Sequence, residues 1–412
     1  MGGTEMATDA ASARNHDLEW LLRPIKLSEF FGSYWESKPL HLQRADALYY
    51  RDLMSERDLE WVITHSDARY PAIKLAQAGI YYPSKAYSKT ERFGEETFQG
   101  IPDVQRIAAE YAKGATINLL AVHRSCEPLA RLCARLEAQL DHPVQANAYI
   151  TPGNTAGFSP HYDTHEVIVL QLAGRKRWRI DKPPITLPHR SQPFSPQRLQ
   201  PGPPLLELEL NAGDLLYLPR GHVHSTTTSA TYSVHVTLGI TVFTWVELIA
   251  EALQPCAESV ELRRALPAGF ASRADFRPIL MQRLAELLRG LSGATDYGRV
   301  VDSFNRLVKA GHQHPSEPLR FDVNTVNADS QLQMLPADQY RLTHTAESTT
   351  LELHNKKYVL PPQIAPTLQV MRERGAFSLR DLPRDMSPED QLSLVRYLSG
   401  IGVLRAMPAV HA

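Results

Sequence analysis

Residues 161–179 read HYDTHEVIVLQLAGRKRWR, and the fold turns on what that stretch does. It opens with a His161-x-Asp163 pair, runs into an apolar strand, meets Ala173-Gly174 and continues as a basic strand. Placing a two-residue turn at Ala173-Gly174 predicts a hairpin in which Leu172 pairs with Arg175, Gln171 with Lys176 and Val169 with Trp178. Side chains alternate along a strand, so His161, Asp163, Val167, Val169 and Gln171 share a face if the strand is unbroken. Lys176 and Trp178 join that face, while Arg175, Arg177 and Arg179 point away. Lys176 is therefore the basic residue predicted to look inward with His161 and Asp163. By charge pattern alone it reads instead as part of a solvated Arg-Lys-Arg run.

Further along, residues 213–224 read GDLLYLPRGHVH, a Gly-x5-Pro-x-Gly-x2-His spacing that ends on His224. A lone His161 is more often a core or surface histidine than a ligand. Its coincidence with the Pro219-x-Gly221-x2-His224 strand favours a metal site. His161, Asp163 and His224 make a candidate two-histidine, one-carboxylate facial triad, a donor set that suits Fe(II) and leaves positions open for oxygen and a chelating cosubstrate. His222 shares parity with His224 and is the rival third ligand, though the spacing selects His224. A Glu-containing triad using Glu166, beside His165, is a lesser alternative. Structural zinc is disfavoured, because Cys126, Cys133 and Cys256 show no paired Cys-x2-Cys spacing; Cys126 and Cys133 fit a helix core better.

With 412 residues the chain predicts two or three domains. Its hydrophobic fraction of 43% supports real cores, and a formal net charge of -1 gives no global pull toward nucleic acid or membrane. No apolar run reaches the length of a membrane span, and the first residues lack a signal-peptide core. The expectation is a cytoplasmic protein without disulfides.

Residues 1–16 are small and polar and predict disorder. Residues 20–44 alternate between helix-like and strand-like patterning, and Leu53–His65 predicts a helix capped by Ser55. Residues 82–100 lack a clear period and predict a surface loop near a site mouth. Pro102–Gly114 predicts a helix, Ala115–His123 a buried strand, and Glu127-Pro128 the start of an amphipathic helix carrying Leu129, Leu132, Cys133, Leu136 and Leu140. From Pro143 many short strands separated by Gly, Pro and Ser turns predict a barrel or double-sheet jelly roll. Its two motif strands are joined by a long proline-rich connection, of the kind that is usually functional or mobile. After about Trp245 three Leu- and Arg-rich helical patterns follow. Beyond about Pro336, strands, two helices and a short Gly-rich end predict a small winged-helix-like module.

The stretch QANAYITPGNTAGFSPHYDTHEVIVLQLAGRKRWRI, with GDLLYLPRGHVH and YSVHVTLG, resembles the JmjC-type ribosomal oxygenases of the cupin-like superfamily, specifically over Pro143–Ile240. That resemblance implies an α+β fold: a double-stranded β-helix (cupin, jelly-roll) catalytic domain over 17–245, a helical dimerisation domain over 246–336 and a winged-helix domain over 337–412. It implies an Fe(II)- and 2-oxoglutarate-dependent protein hydroxylase whose facial triad falls on His161, Asp163 and His224, with no catalytic side chain beyond the metal centre. The far carboxylate of 2-oxoglutarate would meet Lys176, and Asn147 would lie in the same pocket, with Tyr149 sharing its inward face or serving as a packed aromatic. His235 reads equally as core or pocket lining. Relatives tend to end the YSVHVTLG strand with serine where this chain has Gly239, which predicts a missing or relocated polar contact. The implied substrate is a histidine or arginine side chain of a ribosomal protein, and the implied assembly a homodimer with no membrane and no direct nucleic-acid contact. The rivals are hydroxylation of another peptide or a small natural product, and a metal-free cupin-like binding module. Nothing in the sequence marks a methyl-lysine reader, which disfavours histone demethylation.

Overall fold

The computed structural model describes residues 16–65, 68–198, 202–254, 258–268, 270, 275–294, 296–312, 327, 330–335, 340–353, 356–383 and 386–406. The expectation of disorder at the N-terminus falls almost wholly outside these residues, as does Cys256. The chain forms two compact units, one reaching to Thr244 and one beginning at Trp245.

The first unit runs α1 (Leu18–Leu22), α2 (Leu27–Ser33), β1 (Leu40–Leu42), α3 (Glu56–His65), β2 (Ile73–Gln77), β3 (Ile80–Tyr81), β4 (Ser88–Phe93), β5 (Glu96–Pro102), α4 (Val104–Ala112), β6 (Thr116–Leu119), α5 (Glu127–Leu140), β7 (Val144–Thr151), β8 (Glu166–Asp181), β9 (Leu206–Asn211), β10 (Leu215–Leu218) and β11 (Val223–Ile240). Local chemistry sets the helix starts. The Ser55 hydroxyl accepts from the Asp58 amide while the Asp58 carboxylate accepts from the Ser55 amide, closing a reciprocal cap before α3. Pro128 occupies the permitted first turn of α5. That helix buries Leu129, Leu132, Cys133 and Leu136 on one stripe, so both described cysteines are core residues.

A nine-stranded sheet has the order β1-β10-β8-β11-β7-β6-β2-β3, with β9 on the second half of β8. Its pairings are antiparallel. One face carries Ile168, Leu170, Leu215, Tyr217, Val234 and Val236 into the main core with α1, α2 and α5. The other encloses a smaller interior of Val167, Val169, Trp178, Ile180, Leu210, Leu216 and Leu218. This mixed helix and antiparallel-sheet architecture agrees with the expected α+β class and cupin-type core.

The hairpin at Ala173-Gly174 does not form. A two-residue hairpin turn of the favoured type needs positive φ at both central residues. Gly174 has φ 64° but Ala173 is not among the left-handed residues. β8 therefore runs on as one strand of 16 residues beside the 18 residues of β11. Near Gly174 the register shifts: Gln171 pairs with His235 and Ala173 with Val234, which leaves Leu172 as an extra residue. A β-carbon at Gly174 would stand 1.8 Å from the Tyr232 carbonyl oxygen, so the crossing backbone requires glycine. That one-residue bulge restores the parity the turn was expected to give. Lys176 is 1% exposed, whereas Arg175 and Arg177 reach Glu209 outside.

Residues 82–100 differ from expectation too: β4 and β5 form a hairpin turning at Gly94. Its exposed alternate positions lack the apolar periodicity that would reveal strands.

The second unit contains α6 (Trp245–Ala252), α7 (Phe276–Ala294), α8 (Tyr297–Gly311), β12 (Leu332–Met334), β13 (Tyr340–His344), β14 (Thr349–Leu353), β15 (Lys356–Leu360), α9 (Ala365–Glu373), α10 (Pro388–Gly400) and β16 (Leu404–Ala406). β13, β14 and β15 make a three-stranded sheet, and β16 pairs with β12. Leu351, Leu368, Met371, Phe377, Val395 and Leu398 centre their core.

Candidate metal centre

His161 and His224 are fixed by backbone before side chains matter. The two form an isolated bridge, His161 donating to the His224 carbonyl at 3.1 Å and receiving its amide at 2.8 Å. Two residues on, the Asp163 carbonyl accepts from Gly221 at 3.0 Å, tying it to the Pro219-Arg220-Gly221 turn. Gly221 has φ 91°, and a β-carbon there would meet the Ile185 carbonyl oxygen at 2.6 Å, which explains the glycine in that motif.

One donor atom each from His161, Asp163 and His224 lies within 4.8 Å of the others. Nε2 of His224 stands 3.6 Å from Oδ2 of Asp163, and the two imidazole centroids are 4.5 Å apart. Nδ1 of His161 lies 2.8 Å from the Ser159 carbonyl and Nδ1 of His224 lies 3.1 Å from the His222 carbonyl. A ring that donates Nδ1–H to a carbonyl turns the Nε2 lone pair toward the shared centre, the usual outer support of a metal-ligating histidine. Burial, reinforced by His161, pushes the His224 pKa down and keeps the ring neutral. Burial alone would raise Asp163, but His165, His224 and His161 outweigh it and hold the carboxyl below its ordinary range. A neutral His224 ring and an ionised Asp163 are the forms in which these two groups accept a divalent cation.

The rivals lie outside this cluster: neither His222, whose Nδ1 lies 3.1 Å from the Pro219 carbonyl, nor Glu166 is among its donors. Glu166 is fully buried, accepting from Tyr217 at 2.5 Å and from Arg220 at 2.7 Å, and Arg220 also binds Glu36. Burial raises the Glu166 pKa against the opposing pull of Tyr217 and Arg220. This network braces the turn that carries His224. Glu166→Gln keeps the shape but removes a charge-assisted bond, at about 2 kcal/mol. Thermal unfolding should shift down by roughly 4–8 °C; an unchanged midpoint would show that the network is not structural.

Lys176, Asn147 and Tyr149 lie on the same interior face of the sheet. Lys176 donates to the Thr151 hydroxyl at 3.1 Å, and burial alone brings its pKa down to about 7, with no carboxylate paired to it among the described residues. Asn147 accepts from the Ala121 amide at 2.9 Å. Tyr149 stacks on His235 at 4.8 Å, and burial pushes its phenol up. Trp178 stands 5.8 Å from both His224 and His235. The buried His235 ring thus lies against Tyr149 and Trp178, and Trp178 keeps the predicted inward face. Buried Asn118 Oδ1, Trp178 Nε1 and His235 Nδ1 have no hydrogen-bond partner among the described residues.

Sequence reasoning missed Tyr81, Phe158 and Asn118, which border the same space. Phe158 sits 5.6 Å from Tyr149, 6.0 Å from His161 and 5.9 Å from Tyr81. At Gly239, a β-carbon would come within 3.1 Å of the His165 ring, which would have to give by a few tenths of an ångström to admit a serine. The proline-rich connection also reaches the centre: Tyr162 donates to the carbonyls of Gln192 and Pro193, and Phe194 lies 6.4 Å from His161.

A JmjC domain family model matches residues 119–248. Ribosomal oxygenase 1 of Rattus norvegicus is 33% identical over 448 aligned positions, covering 94% of this chain and 71% of the relative. The chain belongs to the JmjC-type ribosomal oxygenases. A bifunctional lysine-specific demethylase and histidyl-hydroxylase of Drosophila yakuba is 30% identical over 370 positions, covering 84% of this chain and 50% of that protein. The chain thus spans about half the length of the first curated relatives it matches. The crystal structure of an Escherichia coli ribosomal oxygenase aligns over 93% of this chain and 98% of that one, at 16% identity and TM-score 0.48, a likeness too low to bear on function.

Proposed function

We propose that this chain is an Fe(II)- and 2-oxoglutarate-dependent oxygenase that hydroxylates a histidine or arginine side chain of a ribosomal protein. The observation that carries the reading is a buried Lys176, with no carboxylate paired to it among the described residues, on the interior face that also presents His161, Asp163 and His224. A cation buried without a partner is costly, and a dicarboxylate whose other end chelates the metal supplies one. His161, Asp163 and His224 would hold the metal; Lys176, Asn147 and Tyr149 would hold the cosubstrate. Fe(II) so held supplies dioxygen activation, with 2-oxoglutarate leaving as succinate and carbon dioxide and one oxygen atom entering a C–H bond. The protein's part is to orient and to keep water out. Trp178, Ile180 and Val169 wall the interior, and Lys176 fixes the far carboxylate. The chemistry requires no side-chain acid or base.

The proposal extends to the domains: catalytic over 17–245, helical over 246–336 and winged-helix over 337–412. Exposed Ile249, Ile279, Leu284 and Leu288 support homodimerisation through the helices. β13, β14 and β15 beside α9 and α10 suit a winged helix used for protein contact. No described helix is long and apolar enough to cross a membrane, and the near-neutral charge fits a cytoplasmic enzyme with a protein partner. The test is iron-dependent succinate formation together with intact-mass analysis of ribosomal proteins from cells with and without the gene. One oxygen atom lost from one ribosomal protein is expected. Turnover with no such mass change would move the substrate to another peptide or a small molecule, and demethylation of a methyl-lysine peptide would replace the hydroxylase reading.

A further inference from the structure

The strands that face the metal centre have a second face. Across β6, β7 and β11 the register sets Ile117 opposite Ile150 and Ile150 opposite Val234, while Asn118, Tyr149 and His235 pair in the neighbouring row. Side chains alternate along a strand, so the first row points away from the interior that holds Tyr149 and His235. On that far side Ile117, Ile150 and Val234 line a cavity of about 570 Å³, together with Leu59 of α3 and Ile107 of α4. A cavity of that size falls within the range of ligand-binding clefts.

Its lining says what would fill it. Val104 and Tyr232 line it while remaining 41% and 42% exposed, and apolar surface open to solvent around a cleft marks a binding site. The charge there has one sign. Glu56 and Glu60 of α3 are exposed and line the cavity, and among the described residues no lysine, arginine or histidine lines it. Glu56 also receives the Tyr232 phenol, which pushes the pKa of that phenol up. Residues four apart on a helix stand about 6 Å from one another on one face. Alternate residues of an extended peptide stand nearly as far apart, at roughly 7 Å. Basic side chains at alternate positions can therefore reach both carboxylates while the positions between them turn to the apolar floor.

We infer that this cavity docks a basic peptide segment of a protein partner, its apolar side chains entering against Ile117, Ile150 and Val234 and its lysine or arginine side chains meeting Glu56 and Glu60. An acidic segment would be repelled, and a purely apolar one would leave both carboxylates unmatched. The cavity lies across the sheet from His161, Asp163 and His224, so a segment held there is separate from any group presented to the metal. The assignment stands on the cavity alone and does not depend on the oxygenase reading.

The test is fluorescence anisotropy of a labelled heptapeptide alternating lysine and leucine, titrated with the full chain. Saturable binding is expected, with a Kd on the order of 10–100 μM. Replacing the leucines by serine should weaken it at least about tenfold, because nothing then enters the apolar floor. Glu60→Lys sets a like charge against the peptide, and Ala108→Trp fills the cavity from α4; each should weaken binding by about tenfold or more. Both positions are exposed, so neither substitution enters the core. Asp163→Ala should bind as the wild type does. Absence of saturable binding below about 1 mM overturns the inference. So does undiminished affinity in Glu60→Lys and Ala108→Trp, which places the peptide elsewhere, or equal affinity for the serine peptide, which reduces the contact to charge. Weaker binding by Asp163→Ala would move the peptide to the metal centre and overturn it too. Octylammonium that binds where the heptapeptide does not would give the cavity to a small amphiphile, and self-association abolished by Ala108→Trp would give it to a second copy of the chain.

Discussion

Asp163→Ala is expected to abolish iron-dependent conversion of 2-oxoglutarate to succinate. Asp163 supplies the only carboxylate of the three-donor cluster, and the imidazoles around it hold it ionised. With alanine there, the cation would rest on two neutral rings with no negative charge to offset its own. A bound metal contributes several kcal/mol to such reactions, and each 1.36 kcal/mol is tenfold in rate, so a loss on the order of 10^3-fold or more follows. His161→Ala should do the same by opening a second coordination position. The variants should remain folded, because His161 and Asp163 are partly exposed and belong to none of the apolar clusters. Calorimetric titration of the metal-free protein with Co(II) checks the cause: affinity should fall in parallel with turnover. Wild-type turnover in either variant would remove the cluster from the chemistry.

How much of this was legible in the residues depends on range. The His161-x-Asp163 pair and the Pro219-x-Gly221-x2-His224 motif were readable because short spacing fixes backbone shape, and both glycine and proline there have local reasons. The inward face of Lys176 was also correct, but through a different device. The sequence pattern Ala173-Gly174 is equally compatible with a turn and with a bulge. The choice is made by the Tyr232 carbonyl, which lies across the sheet and far along the chain. Loss of the hairpin then merges two expected strands into β8. Asn118 left a trace, a polar residue inside the apolar run TINLL, that parity reasoning did not follow. Tyr81 and Phe158 left none, since their place beside His161 and Tyr149 is set by β2, β3 and the loop before His161. Spacing selected His224 over His222, and the three-donor cluster among the described residues contains His224 and not His222.

Lys176→Met separates a cosubstrate-binding lysine from one that merely packs. If the ammonium meets the far carboxylate of 2-oxoglutarate, the variant should raise the KM for 2-oxoglutarate by roughly 30-fold or more, the effect of removing one member of a buried charge pair. Co(II) affinity should stay near that of the wild type, since no donor is lost. The pH dependence adds an independent sign. Burial brings the Lys176 pKa down to about 7 from 10.5. Below pH 7 the free protein already holds the cation; above it, binding the dicarboxylate must take up a proton. The KM of the wild type should therefore climb with pH above 7 by up to about tenfold per unit, and that slope should vanish in Lys176→Met. Stability runs the other way. Between pH 7 and 10.5 the unfolded chain holds more protons at this site than the folded one, so the free protein gains stability as pH rises through that window. Methionine removes the penalty of a buried amine, so urea unfolding of the variant should show a higher midpoint near pH 7 and a flatter pH profile. A variant that loses stability while keeping its KM would mark Lys176 as a packing residue and leave the pocket without its cosubstrate anchor.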